Sequence, residues 1–416
     1  MYDVILAVLA ATLAGHARSV TGRWAGPIPI FFLSWAAVTL GHLALPLHLH
    51  PTTGGATLVV GLGLLSVFIG FLLAHQRGDP LADLAVRELP WPRWWTFTVL
   101  IATATGVGLV AFRRVIATVS GSNFSDLSQQ QVLYYQIYGP KQWGGLTLLM
   151  GLTVVLAALG VVAAAHHRSG FLLVAVALAV AVQSPARTLP VTLTGVACVL
   201  WLYVRPTGRP ASRVASTPVR WRQRGIALGV LAIVGLLYFN AEGSAVKKNV
   251  GAPQSLGSLT APSIYATGSL SALSVAIDED ASSVAQPLRS LWILPRAWAL
   301  AFPDTLVPDP VAGFVSIPDP YNTYTMFGDL YFDFGLTGVV VGSSLFAFLV
   351  ERAHARATST RALSTGYVAA VLVTLLFGGI VAMRLFWLDT VLWLVVGIAI
   401  FETLGARVDT RRRRCV

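Results

Sequence analysis

Charge is what this chain has least of. Only 11% of its 416 residues are Asp, Glu, Lys or Arg, against about 25% in soluble globular chains. A hydrophobic share of 55% and a mean hydropathy of +0.71 take up the difference. That deficit excludes an ordinary soluble enzyme and points to a chain whose solvent is mostly lipid. Cysteine is nearly absent: Cys198 falls inside an apolar run and Cys415 in a basic tail, so no disulfide framework is expected. There is no phosphate-cradling loop of the Walker type, which argues against ATP hydrolysis. No repeat recurs at a fixed period. No basic stretch precedes the first apolar segment, MYDVILAVLAATLAG, so that segment is expected to be retained as a helix rather than removed as a signal.

What is present is a series of continuous apolar runs, such as GGATLVVGLGLLSVFIGFLLA from Gly54. Strands of a membrane barrel would alternate in polarity over about ten residues, and these runs do not. The expected fold is therefore an all-α polytopic membrane protein. Spans are expected near 2–16, 27–46, 55–74, 94–112, 145–165, 170–184, 188–204, 225–240, 334–350, 364–383 and 386–404, about eleven at roughly 20 residues each. The chain divides into an N-terminal bundle at 1–241 with an outer loop at 113–143, a large outer loop at 242–333, and C-terminal helices with a basic cytoplasmic tail at 334–416.

The net charge of +11 could suggest nucleic acid. Its distribution gives a simpler account, because most of the 29 basic residues fall in alternate connections, as the positive-inside rule requires. The N-terminus is then outside and the C-terminus inside. The linker PTGRPASRVASTPVRWRQR after Arg205 and the run Arg411 to Arg414 are expected to meet anionic membrane lipids, and no nucleic-acid partner is expected.

Orientation assigns no role to the basic residues left outside: Arg113, Arg114, Lys141, Arg187, Lys247, Lys248, Arg289, Arg296 and Arg384. Arg187 sits on a tight turn between two spans, where it is either a phosphate-binding fork or a snorkelling anchor. Arg289 and Arg296 are seven residues apart and would share a face of a continuous helix, turned either to the bundle or to lipid headgroups. Pro295 is expected to kink that helix, and Trp292 and Trp298 suit a helix lying in the interface.

The long polar segment before the ninth span carries Tyr321, Asn322, Tyr324, Asp329, Tyr331 and Asp333. Aromatic rings beside amides and carboxylates suit a carbohydrate site. Asp333 also reads as an N-cap for a span beginning at Phe334, an explanation that comes a turn too late for Asp329. His48 and His50 have the spacing of ligands on a strand, yet no further ligands can be assigned, so neither a metal nor another cofactor is expected.

With these residues in view, the chain resembles the Wzy-type oligosaccharide repeat-unit polymerases, also called O-antigen polymerases. The run NTYTMFGDLYFDFGLTGVVVG from Asn322 is similar to that family's aromatic-rich stretch with Asp-Phe-Gly entering a span. LWILPRAWALAFPD from Leu291 is similar to its Ile-Pro-Arg and Trp-Pro region, and Arg187 to an arginine entering a mid-chain span. A Pro-Ala step before Arg187 and a Ser/Ala-rich insert before Ser282 depart from the pattern.

The resemblance implies a GT-C-type membrane glycosyltransferase at the outer face of the plasma membrane. It would move a growing glycan from undecaprenyl pyrophosphate onto an undecaprenyl-pyrophosphate-linked repeat unit. A flippase and a chain-length regulator would be its protein partners. Arg187, Arg289 and Arg296, backed by Arg384 and Arg113, would then stabilise the leaving pyrophosphate, and Asp329 or Asp333 would take the acceptor proton. An O-antigen ligase would use the same donor, although the Asp-Phe-Gly segment favours a polymerase. A secondary transporter or flippase would need ionisable groups near the bilayer midplane, which the expected spans hold almost nowhere away from their ends.

Overall fold

The computed structural model describes residues 1–75 except 23, 25, 46 and 48, then 84–85, 89–120, 145–183, 189–205, 260–279, 290–291, 293–302, 315–317, 320–321, 323–360, 362–380 and 388–405. Helices α1 (Tyr2–Thr21), α2 (Pro27–Ala44), α3 (Gly54–Ala74) and α4 (Trp91–Ser120) are followed by a 3-10 turn at Gly145–Leu152 that runs into α5 (Thr153–Ala164). Next come α6 (Gly170–Ala181), α7 (Leu189–Tyr203), α8 (Thr260–Asp278), α9 (Ile293–Ala301), α10 (Thr325–Thr360), α11 (Leu363–Gly378) and α12 (Leu388–Gly405). Two short strand pairs complete the described structure. Strands β1 (Leu84–Ala85) and β2 (Val204–Arg205) are parallel, and β3 (Val315–Ser316) and β4 (Pro320–Tyr321) are antiparallel with Val315 opposite Tyr321.

The sequence accounts for these helices locally. In α1 the buried positions are Asp3, Leu6, Ala7, Ala10, Leu13, Ala14 and Ala17, a stripe stepping by three and four residues that lays one small-residue face against α2. The helix stops at Gly22, whose left-handed backbone (φ 69°) turns its N–H to the Arg18 carbonyl at 2.7 Å. Thr53 caps α3 by accepting from the Ala56 N–H. Leu58, Leu65 and Leu72, seven residues apart, stand exposed along α3. A row of exposed leucines on a long apolar helix is the inverse of a soluble surface helix, and lipid is the solvent that accepts it.

Among the described residues, five helices are long and apolar enough to cross a membrane, and five more apolar helices are shorter. The protein is therefore an all-α membrane protein. Each expected span falls on a helix except 225–240, which lies outside the described residues.

The chain forms two compact units, one of Met1–Arg77, Leu236–Arg352 and Leu375–Leu388, the other of Gly78–Gly235, Ala353–Thr374 and Asp389–Val416. In the first, Phe31, Phe32, Trp35, Phe71 and Phe327 are fully buried, and Trp35 and Phe327 lie 5.2 Å apart. In the second, α5 is buried at every position. It packs so closely on α6 that a Cβ on Gly170 would lie 2.4 Å from the Gly160 carbonyl oxygen. The indole N–H of Trp94 reaches the Leu159 carbonyl at 3.3 Å, and the Tyr367 hydroxyl the Trp393 carbonyl at 2.8 Å. Burial pushes the His166 imidazole, in the turn after α5, below the ordinary histidine range.

The segment at 242–333 is expected to be a large outer loop carrying short amphipathic helices. Its Gly/Ser/Ala-rich opening contains α8, a 19-residue helix that is buried over 267–276. Pro295 does not kink a helix. It sits in the first turn of α9, where its missing N–H costs nothing. The continuous helix expected through Arg296 is not present either, because a turn at Ser290 and Leu291 precedes the start of α9 at Ile293, while Arg289 lies outside the described residues. On α9 Leu294 and Trp298 are exposed, as is Phe302 just beyond its end, and the last two rings stack at 4.6 Å; Trp292 lies outside the described residues.

The helix expected to begin at Phe334 begins instead at Thr325 and breaks at Gly335 (φ 64°, ψ −160°). That backbone conformation is essentially restricted to glycine. A Cβ at Gly335 would meet nothing within 4 Å, so the cost of a side chain there is backbone strain alone. Gly335→Ala is expected to destabilise the fold by about 1–3 kcal/mol. The check is a thermal melt in detergent, and a variant that melts with wild type would show that the break relaxes freely.

Candidate functional site

The break at Gly335 isolates a short helical limb, residues 325–334, which carries Asp329, Tyr331 and Asp333, half of the expected polar site. Both of its ends are left-handed. Thr325 has φ 66°, an uncommon conformation for a β-branched residue, and Gly335 has φ 64°. Thr325 is held there from two sides. The next N–H, of Met326, donates to the Gly379 carbonyl at 2.7 Å, and the Thr325 hydroxyl oxygen accepts from the Gly328 N–H at 3.2 Å.

Asp329 and Asp333 are four residues apart and share one face of this limb. Asp329 is buried, at 6% exposure. Asp333 is half-buried, and its Oδ2 accepts two hydrogen bonds from Ser290, one from the backbone N–H at 2.6 Å and one, shorter still, from the hydroxyl. The carboxylate is thus bound to the turn before α9 rather than serving only as a cap. Tyr331 is half-buried and edge-on to Phe332 at 5.6 Å.

Tyr324 differs from expectation. It is fully buried against Ala272, Val275 and Ala276 of α8 and Val315 and Ile317 beside β3, with Phe332 edge-on at 5.6 Å. A ring enclosed in this way packs the core and offers no face to a sugar. Glycine at 328 allows the approach of α8, since a Cβ there would lie 2.9 Å from Leu273 Cδ1.

Of the arginines, Arg296 is on α9, in the same unit as the limb. Arg113 is exposed near the end of α4 in the other unit, where its Nη2 donates to Gln183 Oε1 at 2.7 Å. Arg187, Arg289, Arg384 and Asn322 lie outside the described residues. Tyr321 lies on β4.

A second polar centre escaped the sequence reading. Asp3 Oδ1 lies 3.1 Å from His42 Nδ1 and accepts from the Thr52 hydroxyl at 2.5 Å. His42 Nε2 lies 2.8 Å from Ser271 Oγ, and the Ser271 hydroxyl donates to the His50 carbonyl at 2.6 Å. Beside them the Thr53 N–H donates to Ser274 Oγ at 3.2 Å. The order Ser–His–Asp resembles a nucleophile relay, but Ser271 is fully buried and its proton is committed to His50. The chemistry it supports is cohesion: α1, α2, the start of α3 and α8 are tied at one end of the first unit. One signal could have revealed it. An acid at the start of the first span and a histidine near the end of the second fall at the same end of an antiparallel pair.

At the far end of α3, His75 Nδ1 lies 2.9 Å from Glu351 Oε1 of α10. In the other unit the Tyr203 hydroxyl lies 2.5 Å from His354 Nδ1.

Fold and site together define the protein as an all-α membrane protein with a carboxylate-bearing helical limb packed on a buried serine-rich helix. No protein-family model, curated protein or solved structure matches the chain.

Proposed function

We propose that this protein is a membrane glycosyltransferase that extends a glycan carried on undecaprenyl pyrophosphate, working at the outer face of the plasma membrane. In this reading it has eleven spans, with the N-terminus outside and the C-terminus inside. The observation that carries the reading is the limb at 325–334. Two carboxylates share one of its faces, and Asp333 is hydrogen-bonded to the turn that leads into the arginine-bearing α9. The left-handed Thr325 adds to it, since backbone strain of this kind collects at functional sites.

The reaction needs little more than charge and position. The acceptor hydroxyl oxygen bonds to the anomeric carbon of the donor glycan. The bond from that carbon to the pyrophosphate oxygen breaks, and its electron pair leaves with undecaprenyl pyrophosphate. Arg296, with Arg289, stabilises the charge that develops on the leaving group. A limb carboxylate, Asp329 or Asp333, takes the hydroxyl proton. Tyr331, Tyr321 and Asn322 face the sugars. Arg384 belongs to the wider phosphate-binding set, and membrane lipids, a flippase and a chain-length regulator are the expected partners.

The test compares lipid-linked glycans from cells lacking the gene with those from cells carrying Arg296→Ala. Single repeat units should accumulate and the polymer ladder should disappear in both. A full-length polymer that stays on its lipid carrier without reaching its final acceptor would make the protein a ligase instead.

A further inference from the structure

Asp333 is placed awkwardly for a carboxylate. It is the next-to-last residue of the 325–334 limb, where unpaired carbonyls and the negative end of the helix dipole disfavour an anion. Something must offset that cost, and Ser290 does so with two donors directed at one oxygen. Ser290 is only 2% exposed, so these charge-assisted bonds form away from bulk water, where they are strongest. Ser290 and Leu291 make the turn into α9, closed by the Leu294 N–H donating to the Leu291 carbonyl at 2.8 Å. Arg296 stands on the first turns of that helix.

We propose that Asp333 is a positioning residue and not the base. This rests on the transferase reading given above. The Ser290–Asp333 link sets α9 against the limb and so holds Arg296 where pyrophosphate charge develops. The two donors on Asp333 Oδ2 fasten that carboxylate to the turn before α9, which gives it a task in holding the site together. Asp329, one turn earlier on the same face, takes the proton.

The experiment uses the full-length protein in phospholipid nanodiscs. Binding is read with undecaprenyl pyrophosphate, and turnover with lipid-linked repeat units extracted from cells lacking the gene. Asp333→Ala should weaken undecaprenyl pyrophosphate binding about tenfold, and Ser290→Ala, which removes one donor of the two, about threefold. Both should raise KM more than they lower kcat. Asp333→Asn keeps an acceptor oxygen for Ser290, so it should bind within about threefold of wild type and still polymerise. Asp329→Asn should bind like wild type and lose turnover.

Two outcomes overturn the assignment. If Asp333→Asn binds normally but does not turn over, Asp333 is the base. If neither Asp333→Ala nor Ser290→Ala alters binding, the link does not hold the phosphate site. A wild-type protein that binds no undecaprenyl pyrophosphate defeats the transferase reading itself, and the positioning role falls with it. Equal melting temperatures of Ser290→Ala and wild type separate a local loss from unfolding.

Discussion

His42→Ala is expected to cost the fold about 3–5 kcal/mol, because it removes a partner of the buried Asp3 carboxylate and leaves that charge undercompensated. The His42 side chain is 3% exposed and that of Asp3 10%, so water cannot take over the lost contact. Asp3 would keep the Thr52 hydroxyl, and Ser271 the His50 carbonyl, but the imidazole that bridges Asp3 to Ser271 would be gone. The yield of monodisperse protein should fall and its melting temperature should drop by many degrees. Asp3→Ala in the same background should recover part of the loss, since the orphaned carboxylate is then gone. A double-mutant cycle on melting free energies measures the coupling. Additive single losses would show that the two residues do not act as a pair.

Gly70→Ala should be the next most damaging change, at about 1–3 kcal/mol. A methyl group on Gly70 would lie 2.0 Å from the Ser344 carbonyl oxygen and 2.9 Å from its Cα. These are backbone atoms of α10, and no rotamer change can move them aside. At the same crossing the Ser344 hydroxyl donates to the Ser66 carbonyl at 3.0 Å, so forcing the helices apart also breaks a hydrogen bond. Small residues four apart at a helix contact are how membrane helices approach closely without a hydrophobic driving force between them. Gly61→Ala on the same helix is the control. Its new methyl would meet nothing closer than Leu9 Cδ2 at 3.7 Å, and alanine favours the helix by about 0.5–1 kcal/mol. Equal melting temperatures for the two variants would remove the close-packing argument.

How far the sequence disclosed this structure depended on whether burial or partnership shaped the segment. The helices α3 and α5 were legible because apolar runs of their length have few alternatives. The 260–278 helix was not, since its Ser, Thr and Gly residues read as loop when taken alone. In the fold, Ser269, Ser271 and Ser274 are buried because partners distant in sequence satisfy them: the Ile380 carbonyl for Ser269, His42 and the His50 carbonyl for Ser271, and the Thr53 N–H for Ser274. Tyr324 looked like a sugar platform because polar residues flank it in sequence, whereas its neighbours in space are apolar. The glycine of Asp-Phe-Gly was conspicuous from the start. Its use as a helix break was not, because only backbone dihedrals reveal it.

The tie at Asp3 also orders events during synthesis. Asp3 and His42 are 39 residues apart, whereas His42 and Ser271 are 229 apart. A hairpin of α1 and α2, stapled by Asp3, His42 and Thr52, can close while most of the chain is still on the ribosome. The contact with α8 cannot form until more than half of the polypeptide has followed. Seating that helix is then a late, long-range step, the kind that pays the largest loop-closure entropy and proceeds slowest. Until it is complete, the newborn protein holds a buried histidine waiting for a serine that has yet to be made.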